Sequence, residues 1–173
     1  MNIVLLGYRG TGKSVVARLL AKRLGRKLYG IDDLIVEEAG RSIPEIVQQL
    51  GWPGFRDLEL KIVEQVTRMA QDEVIDCGGG VVLDDRNVNH LRQNGKMVLL
   101  TASLNTILHR IRRDSNRPPL KEGLSFEEEQ RQILDERREK YEKSSDLILD
   151  TTHRSPQEIV RQIVAHGKKN RWI

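Results

Sequence analysis

Short apolar runs alternate with helical patterns along the whole chain. Runs of strand length fall at Asn2 to Leu6, Lys27 to Ile31, Glu73 to Cys77, Lys96 to Thr101 and Asp146 to Asp150, each separated from the next by one or more helical patterns. The first helical stripe, Val15, Val16, Leu19, Leu20 and Leu24, ends at Gly25, where a C-terminal cap belongs. Ser42-Ile43-Pro44-Glu45, Ser125-Phe126-Glu127-Glu128 and Ser155-Pro156-Gln157-Glu158 each spell a capping box, in which a hydroxyl and a carboxylate satisfy otherwise unpaired amides at a helix start. Gly51 and Gly95 read as helix stops. Five short buried strands with helices between them predict an α/β fold built on a five-stranded parallel sheet. Right-handed crossovers then put helices on both faces and gather the strand C-terminal ends along one ligand-binding edge.

Composition narrows the class. A chain of 173 residues with 38% hydrophobic content suits one domain, 1–173, with a single core. The net charge of +4 is spread among 25 acidic residues rather than gathered in blocks, so a polyanionic small molecule accounts for it as well as nucleic acid does. Aromatic residues at 4% offer little for base stacking, which disfavours a nucleic-acid module. Cys77 is the one cysteine, so no internal disulfide forms, and it reads as a small buried residue. With no leader pattern or membrane-length apolar run in the sequence, the expectation is a cytoplasmic protein without a membrane partner. Asp114 to Leu124, rich in Pro, Gly and polar residues between two helical patterns, is expected to be a mobile loop, and Lys168 to Ile173 a frayed end with Trp172 unassigned.

The candidate chemistry begins at Gly7-Tyr8-Arg9-Gly10-Thr11-Gly12-Lys13-Ser14, which matches G-x-x-x-x-G-K-[ST] between a strand and a helix. Glycines let the backbone curl so that amides point at phosphate oxygens, Lys13 adds a mobile cation, and the Ser14 hydroxyl suits Mg²⁺. A nucleoside triphosphate is the expected ligand. The second strand ends in Gly30-Ile31-Asp32-Asp33, putting two carboxylates at the ligand edge. Asp33 reads as a helix cap and Asp32 as the better catalytic candidate. Three glycines, Gly78 to Gly80, follow the third strand and allow a ligand close to the backbone. Arg137 falls on the inward stripe Phe126, Gln130, Ile133, Leu134 and Tyr141, so it needs an internal carboxylate or a bound anion. Arg56, after Trp52-Pro53-Gly54-Phe55, belongs either to a pocket wall or to an exposed helix start.

Taken in order, Gly10 to Ser14, Asp32, Gly51 to Glu59, Gly78 to Gly80, Arg117-Pro118 and Arg137 to Tyr141 resemble the shikimate kinase pattern, from Asn2 to about the helix after Pro156. The resemblance implies a three-layer P-loop kinase fold with a mobile lid at about 114–124 and a substrate-binding region at about 32–60. It implies transfer of the ATP γ-phosphoryl group to the 3-hydroxyl of shikimate. In that scheme Gly10, Thr11, Gly12, Lys13, Ser14 and Val15 hold the phosphates, and Arg110 and Arg154 lie near adenine or its sugar-phosphate. Asp32 holds the 3-hydroxyl, Arg56 and Arg137 clamp the shikimate carboxylate, Gly78, Gly79 and Gly80 line the ring, and Arg117 reaches the transferring group. Lys13, Asp32 and Arg117 carry the chemistry, and the expected state is a monomer.

One position departs from the pattern. Gly30 stands where family members commonly have a carboxylate near Mg²⁺, so Asp76, at the end of an apolar strand, is expected to serve beside Ser14, with Asp33 as the weaker candidate. Pro118-Pro119-Leu120 replaces the common Pro-Leu-Leu. The competing readings are another small-molecule kinase, acting on gluconate or a nucleotide, and a non-catalytic ATP-binding regulator.

Overall fold

A computed structural model describes residues 1–111, 120–121 and 123–173. Arg117 and most of the expected lid therefore lie outside the described residues. The chain runs β1 (Asn2–Leu6), α1 (Lys13–Leu24), β2 (Leu28–Gly30), α2 (Ile31–Ala39), α3 (Ile43–Met69), β3 (Val74–Asp76), a 3₁₀ turn (Val81–Leu83), α4 (Asp85–Gln93), β4 (Gly95–Thr101), α5 (Leu104–Ile111), α6 (Phe126–Lys143), β5 (Leu147–Asp150) and α7 (Pro156–Lys169). The five strands are all parallel, in the order β2-β3-β1-β4-β5. Crossovers leave the central β1 toward opposite sides, which opens a crevice at its C-terminal end.

β1 shows why three layers form. Its five residues are all buried, and alternation sends Ile3 and Leu5 to the face covered by α1 and α7, and Val4 and Leu6 to the face covered by α3, α4 and α6. The strands come out a residue shorter than predicted at several ends. Ile31, for example, starts α2 rather than ending β2.

The three capping boxes form as predicted at Ser42, Ser125 and Ser155. Gly25 caps α1 in the left-handed conformation. Gly51 breaks α3 at φ 67° and ψ 176° without ending it, since Pro53 is compatible with the first turn of the resumed helix. Gly95 is the first residue of β4, and the cap of α4 falls one residue earlier at Asn94. Nor does Asp33 cap α2. That position belongs to Gly30, with Asp32 and Asp33 inside the first turn.

Two apolar residues assigned inward, Val15 and Phe126, are exposed. The C-terminal segment is better anchored than expected. Trp172 is buried on the α1/α7 core, donates its backbone N–H to the Gly167 carbonyl, and packs its ring edge-on to His166.

Candidate active site

The helix that follows the phosphate-type loop begins unlike α3, α6 and α7. Gly12, its N-cap, sits at φ 91° with no side chain accepting from the helix amides, and no acidic residue lies in the first turn. α3, α6 and α7 each satisfy those amides with a capping box. A helix start left without an internal partner and carrying the positive end of the dipole is suited to an external anion. Gly10, at φ 77°, completes the curl. The backbone carbonyl of Tyr8 accepts from the Thr11 hydroxyl at 2.8 Å and the Lys13 ammonium at 3.1 Å, which holds the loop in shape.

This loop forms one wall of a cleft of about 460 Å³. Gly10, Gly12, Lys13, Ser14, Val15, Asp32, Asp33, Asp76, Gly78, Gly79 and Arg110 line it. Arg110 is fixed there by donating to the Gly10 carbonyl at 3.0 Å and to the hydroxyl and carbonyl of Thr151. Arg154 is not brought to the cleft wall. It is exposed, and its contacts are the Asp150 carbonyl at 3.3 Å and Gln162 at 3.5 Å.

A second cavity adjoins the first and shares Arg9, Asp32, Ile43, Gly78 and Gly79 with it, while Tyr8, Trp52, Phe55, Arg56, Glu59, Gly80, Leu120 and Arg137 complete its walls. The break at Gly51 and the helical turn after it put Trp52, Phe55, Arg56 and Glu59 on one wall. Arg56 donates to Glu59 at 2.9 Å, and its guanidinium lies 5.5 Å and 5.2 Å from the Trp52 and Phe55 ring centroids. The guanidinium also lies so close to Gly80 that a Cβ there would come within 2.1 Å of it. A Cβ on Gly78 would meet Asp32 at 2.5 Å. The triple glycine is therefore the floor against which these side chains press.

Arg56 and Arg137 differ in their partners. Arg56 has an internal carboxylate in Glu59. Arg137 is buried, donates to the Gly79 carbonyl at 3.0 Å and faces the Tyr8 ring, yet forms no ion pair among the described residues. Tyr141, one turn on, donates its hydroxyl to the same carbonyl. Burial pushes that phenol up to about 12, so it remains a donor.

Burial also dominates the carboxylates of the cleft. Glu59 is fully buried and its carboxyl is raised by desolvation, against the pull of Arg56. Asp76 is raised in the same way, against the pull of Lys13 and the Ser14 hydroxyl. Oε2 of Glu59 and Oδ1 of Asp76 have no hydrogen-bond partner among the described residues. Cys77 is the buried, inert thiol expected, its ionisation pushed well up by desolvation. The carboxylate of Asp33 folds over Gly30, where a Cβ would meet its Oδ2 at 2.7 Å.

Tyr8, Trp52, Glu59 and Leu120 are wall residues that sequence reasoning left without a role. Glu59 had a signal in its three-residue spacing from Arg56, whereas Leu120 joins the wall only through tertiary packing.

The shikimate kinase family model matches residues 9–168. The shikimate kinase of Thermodesulfovibrio yellowstonii is 38% identical over 163 residues, covering 94% of this chain and 92% of its own length. That of Geobacter sulfurreducens is 40% identical over 169 residues, covering 98% and 92%. The shikimate kinase from Acinetobacter baumannii, solved in complex with shikimate, superposes with a TM-score of 0.91 at 30% identity, over 98% of this chain and 93% of that one. With its P-loop kinase fold and matches spanning nearly its whole length, this chain belongs to the shikimate kinase family.

Proposed function

We propose that the chain transfers the γ-phosphoryl group of ATP to the 3-hydroxyl of shikimate, giving shikimate 3-phosphate and ADP in aromatic amino-acid biosynthesis. The observation that carries this reading is the common wall. Asp32 lines both the phosphate cleft and the arginine cavity, so a hydroxyl held by it faces the end of a triphosphate held by the loop.

The cavity offers a carboxylated polyol a complete set of partners. Arg137, buried without a counter-ion among the described residues, takes the carboxylate together with Arg56. Glu59 offers a spare acceptor oxygen to a ring hydroxyl, and Gly78 to Gly80 let the ring lie on the backbone. Only about 30 Å³ of the acceptor cavity is open, room for about two waters, so a ring enters as Leu120 gives way.

In the transfer, the acceptor oxygen forms a bond to the γ-phosphorus as the bond to the ADP oxygen breaks. The hydroxyl proton passes to the Asp32 carboxylate. The amides after Gly10, together with Lys13, neutralise charge on the phosphoryl oxygens, which is the main demand of such a reaction. Arg117 is assigned to the transferring group from its place in the motif.

Ser14 and the unpartnered oxygen of the neighbouring Asp76 make a hard-oxygen set that fits Mg²⁺, and Asp33 covers the position left bare by Gly30. Held by Ser14 and Asp76, Mg²⁺ would supply positive charge to offset the negative charge of the phosphates. Action as a monomer belongs to the same reading. A cytoplasmic location, with no nucleic acid or membrane as partner, completes the reading.

An ADP-release assay with MgATP and a panel of shikimate, quinate, gluconate and nucleoside monophosphates tests the reaction. Shikimate is expected to stimulate release far above the others, and a preference for gluconate or a nucleotide would contradict it. Arg137→Ala is expected to raise the shikimate KM by about 10- to 150-fold, the equivalent of losing a charged hydrogen bond worth about 1.5–3 kcal/mol, with much less effect on the ATP KM. Equal weakening of both substrates would remove Arg137 from the acceptor site.

Because burial raises the carboxyl of Asp76, the folded chain binds its proton more tightly than the unfolded chain does, and stability falls as pH rises from the usual aspartate range through the raised value. Asp76→Asn is therefore expected to raise the ligand-free denaturation midpoint at pH 7, with the gain fading as the pH falls below the usual aspartate range, where both states are protonated. A lower midpoint at pH 7 would show that the Lys13 and Ser14 contacts outweigh the burial.

A further inference from the structure

A line of buried side chains that the transfer does not use ties a wall of the acceptor cavity to the phosphate-binding loop. Glu129 and Gln130 are adjacent in the first turns of α6 and are 6% and 1% exposed. Oε1 of Glu129 accepts from the backbone N–H groups of Leu120 and Lys121, at 2.6 Å and 2.8 Å. Its Oε2 accepts from the Gln130 side-chain amide at 2.9 Å. The Gln130 carbonyl oxygen in turn accepts from the Tyr8 hydroxyl at 2.6 Å. Tyr8 belongs to the phosphate-binding loop, and its backbone carbonyl accepts from Lys13 and Thr11.

Leu120 forms part of the acceptor cavity. Its backbone is thus linked to the phosphate-binding loop through two side chains and one phenol. A buried carboxylate accepting two amide hydrogens is a strong anchor, and hydrogen bonds in series at low dielectric hold one another in orientation. Leu120 must yield for a ring to enter the nearly filled cavity, and its backbone cannot shift without dragging or releasing Glu129. The disturbance then passes through Gln130 to Tyr8 and the loop that holds the phosphates.

We propose that Glu129, Gln130 and the Tyr8 hydroxyl are positioning residues that couple acceptor binding to nucleotide binding, so that each ligand changes the affinity for the other. The proposal rests on the reading of the cavity as a shikimate site. Coupling of this kind is reciprocal and amounts typically to fivefold or more.

The test is isothermal titration calorimetry of shikimate into the purified chain, alone and with saturating ADP. In the wild-type chain the two dissociation constants are expected to differ by about fivefold or more. Tyr8→Phe removes one oxygen and keeps the ring that faces Arg137, and Gln130→Leu removes both links with similar bulk. In each variant the ratio is expected to fall below half its wild-type value, and the double variant is expected to fall no further, since the two groups lie on one line.

A Tyr8→Phe ratio kept above half the wild-type value would overturn the coupling, as would a wild-type ratio near one. A merely structural role would shift both dissociation constants together and leave the ratio in place, which also overturns it. Wild-type protein that does not bind shikimate overturns the acceptor reading itself, a result distinct from binding without coupling.

Discussion

A buried carboxylate sets the acceptor half of the cleft. Glu59 has no exposure to solvent, and its tie to Arg56 holds a guanidinium flat against the glycine floor at Gly80. Burying such a charge is costly, and Arg56 offsets only part of that cost, as the raised carboxyl of Glu59 records. The arrangement persists because the same arginine also packs on Trp52 and Phe55. Stability has been traded here for a positioned cation beside a second one, Arg137, which among the described residues has no counter-ion of its own.

The phosphate half rests on a different economy of partners. α1 leaves its first amides uncapped by any side chain while α3, α6 and α7 cap theirs, and unlike α2, which also starts at a glycine, it carries no acidic residue in its first turn, so its start suits an anion. The parallel sheet brings the two halves together. Placing β1 in the centre, with β3 beside it, puts the loop after β1 next to the glycines after β3, and α2 starts at the same edge with Asp32. Asp32 lines both halves, and Gly78 offers no side chain in its way.

Much of this was legible in the sequence, because the decisive features are local. A P-loop, three capping boxes and a triple glycine specify backbone conformation within a few residues, and strand-length apolar runs specify a buried parallel sheet. The sequence misled where tertiary context decides. Gly51 does not end a helix because Pro53 is compatible with its resumption, and Gly95 opens β4. Trp172, in a basic tail with no pattern of its own, is held by a hydrophobic surface that only the assembled α1 and α7 provide. The line from Leu120 to Tyr8 was invisible for the same reason. It joins residues more than a hundred positions apart, and nothing in the spacing of Glu129 and Gln130 announces what they will meet.

At the departure from the family pattern, Asp33 lies over the bare backbone of Gly30, and Asp76, which has one buried oxygen unpartnered among the described residues, lines the same cleft; the proposed function assigns the metal's charge to these neighbouring positions. The account as a whole stands on Arg56 being held in place against the floor by Glu59. Its most direct test is Gly80→Ala, which adds one methyl group where the guanidinium now lies, against the flexible end of a side chain that can move without unfolding the chain. The predicted result is a folded protein that binds ADP as before and shikimate about tenfold or more weakly, in line with the loss of a charged hydrogen bond. Unchanged shikimate affinity in that variant would contradict the central claim.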